Sequence, residues 1–208
     1  MGLKNSYATY GSVAKWLHWL MALCFIGAYC AVYYGIWFFP DARSPDRNFI
    51  RGIHTMFGLS VGLLVLPRLI WKVVNVEPHP DPAPNWQHLA AKYAHWGLYF
   101  FMIACPLTGW LGTGGRSVNM FWLFEIPTFR GSALFPWLVE GKLGLTFEEW
   151  EHPIDIAHKQ VFGRWMAWML ILVHIAAALY HHVFEKDNTL RRMVPRAKLL
   201  QTESSSEK

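Results

Sequence analysis

The stretch His158–Pro195, HKQVFGRWMAWMLILVHIAAALYHHVFEKDNTLRRMVP, decides how the rest of the chain is read. It opens on a histidine, runs through an apolar segment with a second histidine at 174, and closes on His181–His182 and a basic patch. About 20 predominantly apolar residues suffice to cross a bilayer as a helix. The segment 156–184 exceeds that length and reads as a membrane-spanning helix. A histidine inside such a segment is costly, so it marks a functional site by default. Two on one helix, near opposite faces, suggest two stations along a path across the membrane.

Working outward, the same apolar pattern recurs three times. A first helix is expected over about 12–38, with His18 near its start. A polar turn, PDARSPDRN (40–48), separates it from a second over about 49–74, with His54 near its start and Pro67 as a kink site. The segment EPHPDPAPN (77–85) reads as a stiff extended connector. A third helix is expected over about 86–112, carrying His95 and Pro106. The fold expected is all-α, a transmembrane four-helix bundle spanning 1–196, with a long extracytoplasmic loop between helices 3 and 4. That loop, Thr113–Asp155, sets three positive residues (Arg116, Arg130, Lys142) against six acids (Glu125, Glu140, Glu148, Glu149, Glu151, Asp155). Its aromatics suggest that it lies on the bundle, and a loop of this length is usually functional. The tail 197–208 is polar and is expected to be a disordered cytoplasmic extension.

The bulk numbers agree with a membrane domain. The chain has 208 residues, 53% of them hydrophobic, and a mean hydropathy of +0.18. The net charge of +5 sits at helix ends and the C-terminus, so it reports membrane orientation rather than nucleic-acid binding. Four crossings put both termini on one side, and the bias of lysine and arginine makes that side cytoplasmic. Cys24, Cys30 and Cys105 all fall in apolar runs and read as small core residues. No CxxCH motif is present, so a covalently attached c-type haem is not indicated.

With this topology the histidines sort by depth. His18 and His174 lie toward the cytoplasmic side, and His54 and His158 toward the outer side. Paired neutral imidazoles from facing helices are what low-spin haem iron takes as axial ligands, whereas zinc wants three or four ligands at one depth. Gly58 and Gly62 continue the face of His54, and Gly163, Ala177 and Ala178 lie near that of His174. Small residues there would let a flat porphyrin approach the backbone, or let two helices pack closely. One separation is irregular: His158 and His174 are 16 residues apart, which places them about 160° apart on a regular helix. Either the helix carries an irregular turn or bulge, or His158 reaches its site from just outside it. His95 could be an alternative ligand, contact a haem propionate, line a quinone pocket, or be a hydrogen-bonded core residue. His181 and His182 stand at the cytoplasmic interface, where propionates or quinone headgroups would lie; His79 and His88 read as solvated.

The chain resembles the bacterial cytochrome b561 family. The residues that carry the resemblance are LHW at 17–19, IRGIH at 50–54, AHWGLYFFMIACPLTGW at 94–110 and, above all, HIAAALYHHVFEKDNTLRRMVP at 174–195. The resemblance implies two b-type haems held by His18, His54, His158 and His174, and electron transfer with ubiquinone in the inner membrane. It implies an oxidoreductase whose electrons come from superoxide at the periplasmic face. Arg51, Lys159 and Arg164 flank the outer histidines and could steer a small anion by charge. A second reading is a haem-bearing anchor subunit that passes electrons between a peripheral dehydrogenase or hydrogenase and quinone, docked through the Thr113–Asp155 loop. A third is a transporter or structural bundle with histidine proton relays and no haem.

Overall fold

A computed structural model describes residues 2–115 and 117–200. The chain is mostly helical. Helix α1 spans Ser12–Phe38, α2 Pro45–Val74 and α3 Asn85–Leu111. A fourth, α4, runs Phe147–Glu185, and a short α5, Thr189–Met193, follows it. Three of these helices, α1, α2 and α4, are long and apolar enough to cross a membrane. Their large apolar residues are mostly turned outward, as on Leu23, Ile26, Leu63, Leu66, Met169 and Leu172. A bundle facing hydrocarbon has no reason to hide them.

The element edges have local causes. α2 starts at Pro45 rather than near 49 because Ser44 caps it, accepting from the Arg47 amide at 3.2 Å, while Pro45 takes the first helical position. α4 starts at Phe147, nine residues before the expected 156. Thr146 and Glu149 form a reciprocal capping box there. The expected loop Thr113–Asp155 is shortened accordingly.

That loop is also not wholly irregular, and the mostly helical chain carries one short hairpin there. Strands β1 (Ser117–Met120) and β2 (Phe124–Pro127) form an antiparallel hairpin with Val118 opposite Ile126. Phe121 and Trp122 turn it with positive φ of 53° and 59°, a conformation uncommon outside glycine, asparagine and aspartate. The Asn119 side chain supports the turn by accepting from the Trp122 amide at 2.6 Å. Val118 and Met120 pack on Met56 of α2, among Ile53, Phe57 and Leu59. Farther on, Phe129, Phe135 and Val139 form a small core against Trp110 and Trp150. The main core lies between α1, α2 and α3, around Met21, Cys24, Val61, Val65 and Tyr99.

α4 is not uniform. It is α-helical over Phe147–Ile156, π-helical over Ala157–Met166, α-helical again over Ala167–Tyr180, and ends in a π-turn, His181–Glu185. A π-helix closes i→i+5 hydrogen bonds, so each turn holds about one residue more than an α-turn. Ten such residues make about two turns and absorb about two residues of rotation. The 16-residue separation of His158 and His174 then behaves like one of about 14, within ~40° of one face. Glycine at 163 permits the bulge, since a Cβ there would sit 2.9 Å from the His158 carbonyl oxygen. Tyr29 of α1 pins it, donating from its hydroxyl to the Gly163 carbonyl at 2.6 Å.

At the end of the bundle that holds both termini, the connector and the C-terminal segment are tied together. Arg192 bonds Asp81 at 2.7 Å and the His79 carbonyl at 2.6 Å. Asn188 and Leu200 exchange hydrogen bonds of 2.7 and 3.2 Å, so residues 197–200 are held rather than loose. The remainder of the expected tail, 201–208, lies outside the described residues.

Candidate electron-transfer site

The level farther from the termini, outer in the expected topology, is built by α1, α2, α3 and the π-helical part of α4. The imidazoles of His54 and His158 stand 6.0 Å apart, centroid to centroid, with planes at 65°. Nδ1 of His54 lies 2.9 Å from the Ala28 carbonyl oxygen, and Nδ1 of His158 lies 3.0 Å from that of Cys105. A carbonyl can only accept, so each Nδ1 carries the ring proton and each Nε2 keeps its lone pair. Metal-ligating histidines are held in this way, with the far nitrogen donating to a carbonyl that fixes the tautomer. Gly109 makes room for the arrangement: a Cβ there would lie 2.9 Å from His158 Cε1.

The inner level gathers three histidines. The rings of His18 and His95 each stand 6.1 Å from that of His174. His95 Nδ1 donates to the Ala91 carbonyl of its own helix at 2.7 Å. Arg68 stands within electrostatic reach of all three and donates to the Ala14 carbonyl at 3.2 Å. Nearby, outside the helices, burial above all pushes the Tyr10 phenol up. His181 and His182 lie beyond this level. His181 Nδ1 is paired with Asp187 at 2.6 Å, and His182 Nδ1 is buried with no partner among the described residues. His79 is exposed and stacks on Tyr7.

Around the outer level, the three cations expected to steer an anion differ. Lys159 is paired with Asp155 at 2.7 Å, which compensates its charge. Arg164 lies over the Trp165 ring. Among the described residues, the Arg51 side chain bonds only the Ala42 carbonyl, at 3.0 Å, with no acid to offset its charge.

The donor set fits a haem iron held between two imidazoles. Two metal–nitrogen bonds of about 2 Å plus two ring radii set centroids about 6 Å apart, close to both observed separations. No group of three or more His, Cys, Asp or Glu able to hold a metal ion occurs among the described residues, which argues against a zinc-type site. Beside His54, Gly58 faces open space, where a Cβ would meet nothing within 4 Å. Gly62 does not share that role: its would-be Cβ lies 3.1 Å from Pro106, so it serves the α2–α3 contact.

Two residues escaped the reading of the sequence. Gly109 matters because of a ring 49 positions away, and nothing in its neighbourhood announces that. Arg68 did leave a signal. It lies 14 residues after His54, hence near one face of α2 and about 21 Å along it.

Long apolar helices that bring half-buried histidines together in pairs at two levels suit a class: membrane proteins that carry electrons. The model of the prokaryotic cytochrome b561 family matches residues 9–196, and the chain belongs to that family. It is 31% identical to cytochrome b561 homolog 1 of Escherichia coli K12, over 88% of this chain and 95% of that protein. It is 27% identical to cytochrome b561 homolog 2 of the same organism, over 93% and 95%. A protein of Yersinia pestis named probable superoxide oxidase CybB is 28% identical over 86% of this chain and 92% of its own length. Membership supports membrane electron transfer and a b-type haem.

Proposed function

We propose that the chain is a di-haem b-type cytochrome of the bacterial inner membrane that passes electrons from superoxide at the periplasmic face to ubiquinone at the cytoplasmic face. In this reading α1 to α4 all cross the bilayer, both termini are cytoplasmic, and residues 1–196 form one domain. His54 and His158 hold the outer haem, and His18 and His174 the inner, with His95 beside it. The observation that carries the reading is the outer pair, with its 6.0 Å ring separation and both Nδ1 protons committed to carbonyls.

When bound, two haems would supply two one-electron centres, held by His54 with His158 and by His18 with His174. The chain's own residues do the rest. The carbonyls of Ala28 and Cys105 orient the outer imidazoles and raise their basicity as ligands. The β1–β2 hairpin packs over the α2 turn beside His54. Arg51 attracts an anionic donor to the outer face. Arg68 places positive charge by the inner level, where it can pair with a propionate. The relative named as a superoxide oxidase favours superoxide as the donor.

The test is a reduced-minus-oxidised visible spectrum of the purified protein with haem counted per chain, followed by ubiquinone reduction under a steady superoxide source. Two low-spin b haems and quinone reduction are expected. Protein made with haem available that carries none overturns the reading. The exposed apolar hairpin tip, with Trp122 and Leu123, favours one alternative, an anchor subunit docking a peripheral dehydrogenase. A stoichiometric partner retained on purification, with no activity without it, would select that alternative.

A further inference from the structure

At the terminus-bearing end, a cavity of about 380 Å³ lies between the connector, the start of α3 and the end of α4. Its lining includes Asp81, Gln87, His181, Glu185, Lys186 and Asp187. His181 and Asp187 form a close pair across it, Nδ1 to carboxylate, 2.6 Å apart and both largely buried. Nδ1 must be the donor, which leaves Nε2 for another partner. The Gln87 side-chain oxygen is buried with no partner among the described residues. His181 follows His174 by seven residues and so falls within about 20° of its face, one to two turns nearer the end of the bundle. A polar cavity therefore reaches from the aqueous end to a histidine in line with the inner histidine level.

We infer that this cavity is the proton inlet for quinone reduction, with His181 the proton donor and Asp187 the residue that positions and charges it. The inference rests on the reading of quinone reduction at this end. Reducing a quinone to a quinol consumes two electrons, delivered through the inner histidine level, and two protons. Each proton moves as the His181 Nε2–H bond breaks and an O–H bond forms on a quinone carbonyl oxygen. Water in the cavity then returns a proton to Nε2. The histidines proposed as ligands have no proton to give at Nε2, so a donor must lie beyond them. The Asp187 carboxylate stabilises the doubly protonated ring of His181 between transfers. The other charges facing the pair are accounted for. Asp81 is neutralised by Arg192 at 2.7 Å, Glu185 accepts from the Tyr180 hydroxyl at 3.0 Å, and Lys186 is exposed at the end of α4.

The pair also has a plain structural use, since the Asp187 amide closes the end of α4 on the His181 carbonyl at 3.2 Å. Asp187→Asn separates the two roles. Asparagine still accepts from Nδ1–H but carries no charge. The full-length protein with its haems is reduced, mixed with ubiquinone-1, and haem reoxidation is followed across pH, alongside haem content and the rate of haem reduction by superoxide. In D187N, reoxidation is expected to slow about tenfold. Haem content, haem reduction and the KM for ubiquinone-1 should stay as in the wild type. An unchanged reoxidation rate in D187N overturns the inference. Wild-type haems that ubiquinone-1 fails to reoxidise overturn instead the reading on which it rests. If D187N assembles without haem, Gln87→Leu is measured in the same way. A severalfold slowing supports the inlet, and no change rejects it.

Discussion

At the scale of single residues, the outer site depends on a side chain that is missing. Gly109 accepts the edge of the His158 ring at a distance no Cβ would tolerate. Gly109→Val should therefore displace the imidazole and cost the outer haem, although position 109 touches no metal. His158→Ala should have the same spectroscopic outcome, with haem per chain falling from two to one. His18→Ala and His95→Ala separate the two candidates at the inner level, because only the true ligand lowers haem content. Retention of both haems in G109V would show that the ring has another way in. None of this was legible at Gly109 itself. The histidines were legible, because a polar ring in an apolar run is conspicuous; the ring of His158 stands 6.0 Å from His54, and that of His174 stands 6.1 Å from both His18 and His95. The tautomers at the outer level were not, since the carbonyls that set them belong to other helices.

At the scale of elements, the π-helical stretch of α4 brings His158 toward the face of His174, as the proposed ligand set requires. Its trace in the sequence was an arithmetic misfit, 16 residues where a regular helix wants about 14. Gly163→Ala forces a Cβ against the His158 carbonyl and should drive the stretch toward ordinary α-helix. That change rotates His158 away from His54. The expected result is an outer haem at under half occupancy with the inner haem intact, read from the spectrum. Equal occupancy of both would mean that the bulge is not what aims His158. The limits of α1 were readable because Gly11 and Pro40 bracket it. The start of α4 was hidden because Glu148 and Glu149, which charge its first turn, also look like the acids of a loop. The hairpin was hidden for a different reason. Phe121 and Trp122 hold a turn that sequence rules reserve for glycine and asparagine.

At the scale of the molecule, charge decides both orientation and approach. In the proposed topology the donor arrives at the outer face, where Lys159 is already neutralised by Asp155 and Arg51 is not. Arg51→Gln should slow haem reduction by superoxide several-fold at low salt and flatten its salt dependence. Lys159→Gln should do much less. Equal effects of the two, or none, would remove steering from the account.

Both histidine pairs draw one partner from α4, and the segment after α4 is stitched back onto the rest: Trp19 donates to the Met193 carbonyl and Lys15 to that of Val194. This has a consequence for biosynthesis. The ribosome delivers α4 last, so in the proposed topology α1, α2 and α3 wait in the membrane with His18 and His54 unmatched. One late insertion then completes both sites together, and the closing segment seals the end of the bundle. A nascent chain halted before position 158 would hold half of each site and the whole of neither.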